Sequence, residues 1–299
     1  MPDWRHIPEA GTVLGIRLLV LLARMFGRRI AGWFLYLVAL YYAIARGAVR
    51  RASRDYLRRV GQPATFGTVV RHVHTFARVS LDRLFFFTGR WEPFHFEQRN
   101  HDRLVQAAHA GRGVLLLGAH LGSFEVMRCR AKELGVPINA VADYSNAERV
   151  NRVARSLAPD VETRLISLAG DSLGAMLAIR AAIDRGELVA MLGDRSSGKP
   201  DGERVVIAPF LGADAAFPAG PWLIAHALHC PVYFVAGVFT PPNCYALHFE
   251  LLADEVRLDR KDRAGSLAGY VRAYAAMLEA HVRTAPMNWF NFYDFWSPS

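Results

Sequence analysis

Val114-Leu115-Leu116-Leu117-Gly118-Ala119-His120-Leu121-Gly122-Ser123-Phe124-Glu125 decides how the chain is read. Four consecutive apolar residues ahead of turn formers predict a short, fully buried strand. Gly118-Ala119 then lets the backbone turn. A histidine just past the carboxyl end of such a strand stands where open α/β sheets place their ligands. Neutral imidazole can take a proton from a hydroxyl near neutral pH, and a carboxylate can fix its tautomer and stabilise the imidazolium that forms. On one straight helix, residues five apart are rotated by about 140° and do not meet. His120 and Glu125 therefore pair only if the chain turns before the helix starts, as Gly122 and Ser123 suggest. On spacing alone, a solvated loop histidine beside a helix-start glutamate is the plainer reading.

Outward from that stretch, strands and helices alternate. Strands are predicted over 94–96, 138–142, 164–168, 188–192, 232–239 and 245–252. Helices are predicted over 102–110, 125–134, 147–157, 173–184 and 218–228, with a long last one over 262–283. Several end at a glycine: Gly111, Gly135 and Gly186. Repeated β-α units imply an α/β fold, a mostly parallel central sheet flanked by helices. Before the first strand, Phe66 to Phe87 carries apolar residues at threes and fours and predicts a helix. Residues 61–299 read as one α/β domain behind a helical segment at 1–60.

That N-terminal segment is unlike the rest. It holds eleven arginines against three acidic groups, so nearly all of the net charge of +9 sits there. A basic end implies an anionic partner, nucleic acid or lipid. From Ile30 to Ala45 no residue is charged, and arginines bracket the run: Arg28, Arg29, Arg46, Arg50 and Arg51. As a helix this is about 24 Å long, short of the roughly 30 Å hydrocarbon core. Trp33, Tyr36, Tyr41 and Tyr42 suit a membrane interface. Residues 10–47 thus read as membrane-associated hydrophobic helices, a hairpin or bent helix in one leaflet or a short tilted span. A core helix is the alternative. Nucleic acid is excluded as the partner because the basic groups bracket a greasy helix instead of lining a polar groove. Cys129, Cys230 and Cys244 form no CxxC and no even set, which fits reduced thiols on the cytoplasmic side. No metal site is expected: His72 and His74, like His226 and His229, lack a ligand cluster.

Two further motifs compete for function. Gly170-Asp171-Ser172-Leu173-Gly174 matches a nucleophile elbow, and Asp194 and His226 follow in the order of a serine hydrolase. Asp171 and Ser172 are also ordinary helix caps. Leu192-Gly193-Asp194-Arg195 ends a strand, which brings Asp194 and Arg195 to the same sheet edge as His120. There Arg195 could hold a phosphate or carboxylate, or pair with Asp194 to lock the following loop. Ala208 to Gly212 and Phe217 to Pro221 read as an apolar, Pro-Gly-bracketed loop entering a helix.

Taken in order, these residues resemble the glycerolipid and lysophospholipid acyltransferases. They are the hydrophobic N-terminal helix, His120-x4-Glu125, Leu192-Gly193-Asp194-Arg195, Pro209-Phe210-Leu211-Gly212, and Pro218-Ala219-Gly220-Pro221 leading to Cys230-Pro231-Val232. The nearest branch is that of the late acyltransferases of bacterial lipid A synthesis. The aromatic ending, Asn288 to Trp296, is similar to acyltransferases that accompany aryl-polyene or xanthomonadin-type pigments. The resemblance implies transfer of a fatty or polyene acyl group from a thioester of acyl carrier protein or coenzyme A to a hydroxyl of a membrane lipid or glycolipid, with no cofactor. It implies a place on the cytoplasmic face of the bacterial inner membrane. It makes His120 the general base and Glu125 its relay acid. Gly122, Ser123, Asp194 and Arg195 are expected to bind substrate, with backbone amides near Gly122-Ser123 on the oxyanion. Many members carry Asp where Glu125 stands, and the lipid A branch typically has Asp-Gln where this chain has Asp194-Arg195. A serine hydrolase using Ser172 and a non-catalytic acyl-lipid binding protein are the other readings.

Overall fold

The computed structural model describes residues 13–87, 89–100, 102–126, 135–142, 164–167, 172–195 and 204–296. The helix expected over 147–157, most of that over 125–134, and Cys129 lie outside the described residues. Among those described, the strands are β1 (His95–Arg99), β2 (Val114–Gly118), β3 (Ile138–Ala142), β4 (Arg164–Ser167), β5 (Leu188–Leu192), β6 (Val205–Phe210), β7 (Ala213–Pro218), β8 (Val232–Thr240) and β9 (Cys244–Ala253). The helices are α1 (Val13–Ala45), α2 (Gly47–Arg59), α3 (Phe66–Phe87), α4 (Asp102–His109), α5 (Ser172–Asp184), α6 (Gly220–Leu228) and α7 (Arg263–Thr284).

The central sheet has the order β1-β9-β8-β2-β5-β3-β4. Strands β2, β3, β4, β5 and β8 are parallel; β9 runs antiparallel to β8 and carries β1 beside it in parallel. The mostly parallel α/β expectation holds. The apolar run Val114–Leu117 is continuous because both faces of β2 are covered. Leu115 and Leu117 pack with Ile179, Phe234, Tyr274 and Leu278, from α5, β8 and α7. Val114 and Leu116 pack on the other side with Val79, Phe86, Leu104 and Ala108, from α3 and α4. A strand buried on both sides loses the polar–apolar alternation of a half-exposed one.

The segment read as a Pro-Gly-bracketed loop is instead a hairpin. Strands β6 and β7 pair antiparallel from Val205↔Pro218 to Phe210↔Ala213, leaving a two-residue turn at Leu211-Gly212. Both turn residues have positive φ, 51° and 80°, the sense that matches strand twist in a tight hairpin. Pro209 and Pro218 disguised the strands, since proline is tolerated where a strand is an edge.

At the N-terminal end, α1 is broken at Gly27 (φ 78°, ψ 169°) and turns by 97° between Ile30–Ala45 and α2. Ala31, Leu35, Ala39 and Ala43 recur every fourth residue and are all buried, forming a narrow stripe that packs on the rest of the chain. The opposite face is apolar yet exposed: Trp33 at 83%, Leu37 at 61%, with Ile30, Tyr36, Tyr41 and Ile44. Two flanking arginines point inward. Arg28 forks onto buried Asp82 of α3, and Arg50 donates to the carbonyls of Ala43 and Ile44, capping the end of α1. No single helix among the described residues is long and apolar enough to cross a membrane; the bent pair Ile30–Ala45 and Gly47–Arg59 meets that test together.

Candidate active site

Strands β2 and β5 pair in parallel with Gly118 opposite Leu192. Both chains leave the sheet at the same edge, so the residues two further on, His120 and Asp194, face each other. Nδ1 of His120 lies 2.8 Å from Oδ1 of Asp194, and the His120 amide donates to Oδ2 at 3.0 Å. A carboxylate only accepts, so Nδ1 carries the hydrogen and the lone pair is on Nε2. The His120 side chain is 24% exposed, while that of Asp194 is 0%. Among the described residues none bonds Nε2 of His120.

Asp194 has further donors. Trp289 Nε1 and Asn291 Nδ2 both reach Oδ2, at 3.2 and 2.9 Å. Burial alone would raise its pKa; His120, Arg195 and these hydrogen bonds overcome that and hold the carboxyl well below the usual range. Burial first, then the charge of Arg195, push the His120 imidazole below its ordinary value against the pull of Asp194. The pair therefore stands as carboxylate and neutral imidazole near neutral pH.

Glu125, expected to pair with His120 as its relay, meets other groups. Glu125 Oε2 accepts from Arg83 Nε of α3 at 2.7 Å and from Ser123 Oγ at 3.0 Å. It neutralises an arginine whose charge is felt at His120, and its hydrogen bonds go to Arg83 and Ser123, not to the histidine. The turn itself is built by backbone. Gly122 has φ +65°, and a Cβ there would run into the carbonyl oxygen of Gly237 on β8. The Gly122 amide donates to Asn288 O at 2.8 Å and the Ser123 amide to Gly237 O at 2.9 Å. Both N–H groups are thereby occupied, which corrects their assignment to the oxyanion: Gly122 and Ser123 dock the histidine loop on β8 instead. Arg195 acts as a lock, donating Nε to Asn291 Oδ1 and Nη2 to Phe290 O, with Tyr293 under its guanidinium.

Arg83, Asn288, Trp289 and Asn291 were not singled out from sequence. The signal was present as polar asparagines set in an aromatic ending. Asn288 exchanges two hydrogen bonds with the Phe239 backbone, and the Phe290 amide donates to His120 O. The rings pack: Trp289 lies against Tyr56, Phe210 and Phe295. The hydrolase order is not assembled. Asp194 serves His120, and His226 Nδ1 is bonded to the Val256 carbonyl. The Ser172 side chain lies outside the described residues.

The profile of the bacterial lipid A biosynthesis acyltransferase family matches residues 74–297. The chain belongs to that family. It is an enzyme of the O-acyltransferase kind, and the match covers the part of α3 that carries Arg83, the whole sheet, and the Asn288–Trp296 ending. No match is found among curated proteins. Within this acyltransferase, the C-terminal segment reaches the histidine loop through Asn288 and Phe290 and reaches Asp194 through Trp289 and Asn291.

Proposed function

We propose that this acyltransferase moves a fatty acyl group from a thioester of acyl carrier protein or coenzyme A to a hydroxyl of a membrane lipid or glycolipid, with His120 as general base and Asp194 orienting it. The observation that carries the reading is the 2.8 Å His120–Asp194 bond, which fixes the hydrogen on Nδ1. Nε2 takes the proton of the acceptor hydroxyl as its oxygen attacks the thioester carbonyl. Asp194 stabilises the imidazolium that forms. The tetrahedral intermediate collapses by breaking the C–S bond, and the thiolate takes the proton back from Nε2. A positioned base contributes on the order of 10²–10⁴-fold. The positive charge of Arg83, held at the site by Glu125, favours the developing oxyanion. A polyene acyl group rests on the aromatic ending alone, and those rings are engaged in packing, so a fatty acyl group is the reading preferred.

The exposed apolar face of α1 supports a seat on the membrane, which delivers an amphiphilic acceptor. Free thiols at Cys230 and Cys244 and thioester donors fit the cytoplasmic face of the bacterial inner membrane. The test is to incubate the purified chain with labelled acyl thioester and bacterial lipid extract. Labelled lipid is expected with the wild type and not with a folded His120→Ala variant. Wild-type turnover by that variant would refute the mechanism, and binding of lipid without turnover by the wild type would make the chain a carrier.

A further inference from the structure

A second cluster of potential ligands lies behind the sheet, apart from His120. His248 and Glu250 are two apart on β9, so both side chains point to one face of the sheet. His281, in the last turn of α7, meets them there. Its Nε2 lies 2.7 Å from Oε1 of Glu250, and its ring is held by stacking on Phe234 at 5.1 Å between centroids. The His248 ring stands edge-on to it at 4.5 Å. One ligand atom from each of the three lies within 4.8 Å of the others. An ordinary Glu–His ion pair needs only one imidazole. Here a second imidazole converges on the same point.

We propose that His248, Glu250 and His281 form a zinc-class divalent metal site that clamps β9 to the end of α7. Two imidazole nitrogens and one carboxylate oxygen suit zinc and its neighbours, whereas magnesium and calcium favour all-oxygen sets. Ligands at about 2.0–2.1 Å around a tetrahedral ion stand about 3.4 Å apart, within reach of small side-chain rotations from the present positions. The side chains of His281 and Glu250 are 11% and 31% exposed, so the ion has an entry path and water can fill the fourth position. The clamp would act at a distance on the site already described. Just beyond α7 come Asn288, bonded to Phe239, and Trp289 and Asn291, which hold Asp194. The metal would steady that segment without touching the reacting atoms. The proposal does not depend on the acyl-transfer reading.

The test uses the untagged full chain in detergent, stripped of metal by chelator and dialysed. Titration with Zn²⁺ by calorimetry, and with Co²⁺ by its visible absorption, is expected to reach one equivalent. His248→Gln and Glu250→Gln should each weaken binding at least about tenfold. The exposed pair His229 and Glu255 provides the control, and His229→Gln should leave binding unchanged. Zn²⁺ should raise the melting temperature of the wild type and not that of Glu250→Gln, whose half-exposed side chain is replaced by one of the same shape. Absence of stoichiometric binding by the wild type, or binding by both variants as tight as the wild type's, would overturn the proposal.

Discussion

Replacing Asp194 by Asn separates the two candidate relays. In the wild type its carboxylate is fully buried and receives four donors: the His120 ring, the His120 amide, Trp289 and Asn291. An amide of the same shape has one oxygen and one NH₂. Whichever way it is turned, its donor faces another donor. An NH₂ in the place of Oδ2 would face three donors, the His120 amide, Trp289 and Asn291, and lose all three hydrogen bonds, so this orientation is disfavoured. With the NH₂ in the place of Oδ1 only the bond from the His120 ring is disturbed. That loss of about 1.5–3 kcal/mol, and the loss of charge in the other three bonds, is partly offset because a neutral group is cheaper to bury, so a net destabilisation of about 2–4 kcal/mol is expected. If the NH₂ faces His120, it donates to Nδ1 and forces the hydrogen onto Nε2, which can then no longer act as base. Turnover should then fall by about 10²–10⁴-fold. Glu125→Gln, by contrast, keeps an oxygen for Arg83 and Ser123 and should cost far less. Steady-state rates on folded variants, checked by thermal denaturation, give the comparison. Wild-type turnover in Asp194→Asn together with a dead Glu125→Gln would return the relay to Glu125 and refute the assignment made from geometry.

Three other outcomes are expected. Because burial and Arg195 lower the His120 pKa, the acid limb of kcat/KM should lie below pH 6.5; Arg195→Gln removes a repelling charge and should move that limb to higher pH, and an unmoved limb would mean another group titrates. His72 is fully buried, donates Nε2–H to the Trp289 carbonyl and accepts from Ser53 on Nδ1; burial pushes it down to about 4. The unfolded chain then binds more protons between pH 6.5 and 4, so stability present above that window should be lost as pH falls through it, by about 3 kcal/mol for this group, and urea midpoints of wild type against His72→Gln across that range check it. On α1, Trp33→Ser with Leu37→Ser removes two exposed apolar side chains worth roughly 1.5–3 kcal/mol each in a membrane; binding to vesicles should drop about 10²–10⁴-fold, and undiminished flotation would remove α1 from the membrane contact.

The elements that could be read from sequence are those whose environment is uniform along their length. Helix α3 has one apolar face against one partner surface, and its predicted span, Phe66 to Phe87, is the observed one. Strands β3 and β5 are likewise found as expected. The hairpin β6–β7 was hidden because its turn, Leu211-Gly212, has no Asn-Gly or Asp-Gly signature and its strands contain prolines. What the pattern could not reveal about Ile30–Ala45 was which face is covered. A uniformly apolar stretch looks the same whether it is buried all round or, as here, on a single stripe of Ala and Leu.

The site shows the same limit in sharper form. Its two principal residues are 74 apart, and only strand pairing brings them together. Once β2 and β5 are taken as parallel neighbours, equal offsets from Gly118 and Leu192 put His120 opposite Asp194. Sequence gives the strands but not which are neighbours, so the acid nearest in sequence, Glu125, was paired with His120, whereas the sheet brings Asp194 to it. The amides of Gly122 and Ser123 were misjudged for a related reason. A loop with a glycine at positive φ looks like a ready anion nest until the partner backbone is in place, and here β8 and Asn288 fill it. Gly122 is thus required by the close approach of Gly237. That requirement couples the histidine loop to β8, and β8 through Asn288 to the C-terminal segment. The residues that hold the His120–Asp194 pair and the residues that close the fold are consequently the same ones.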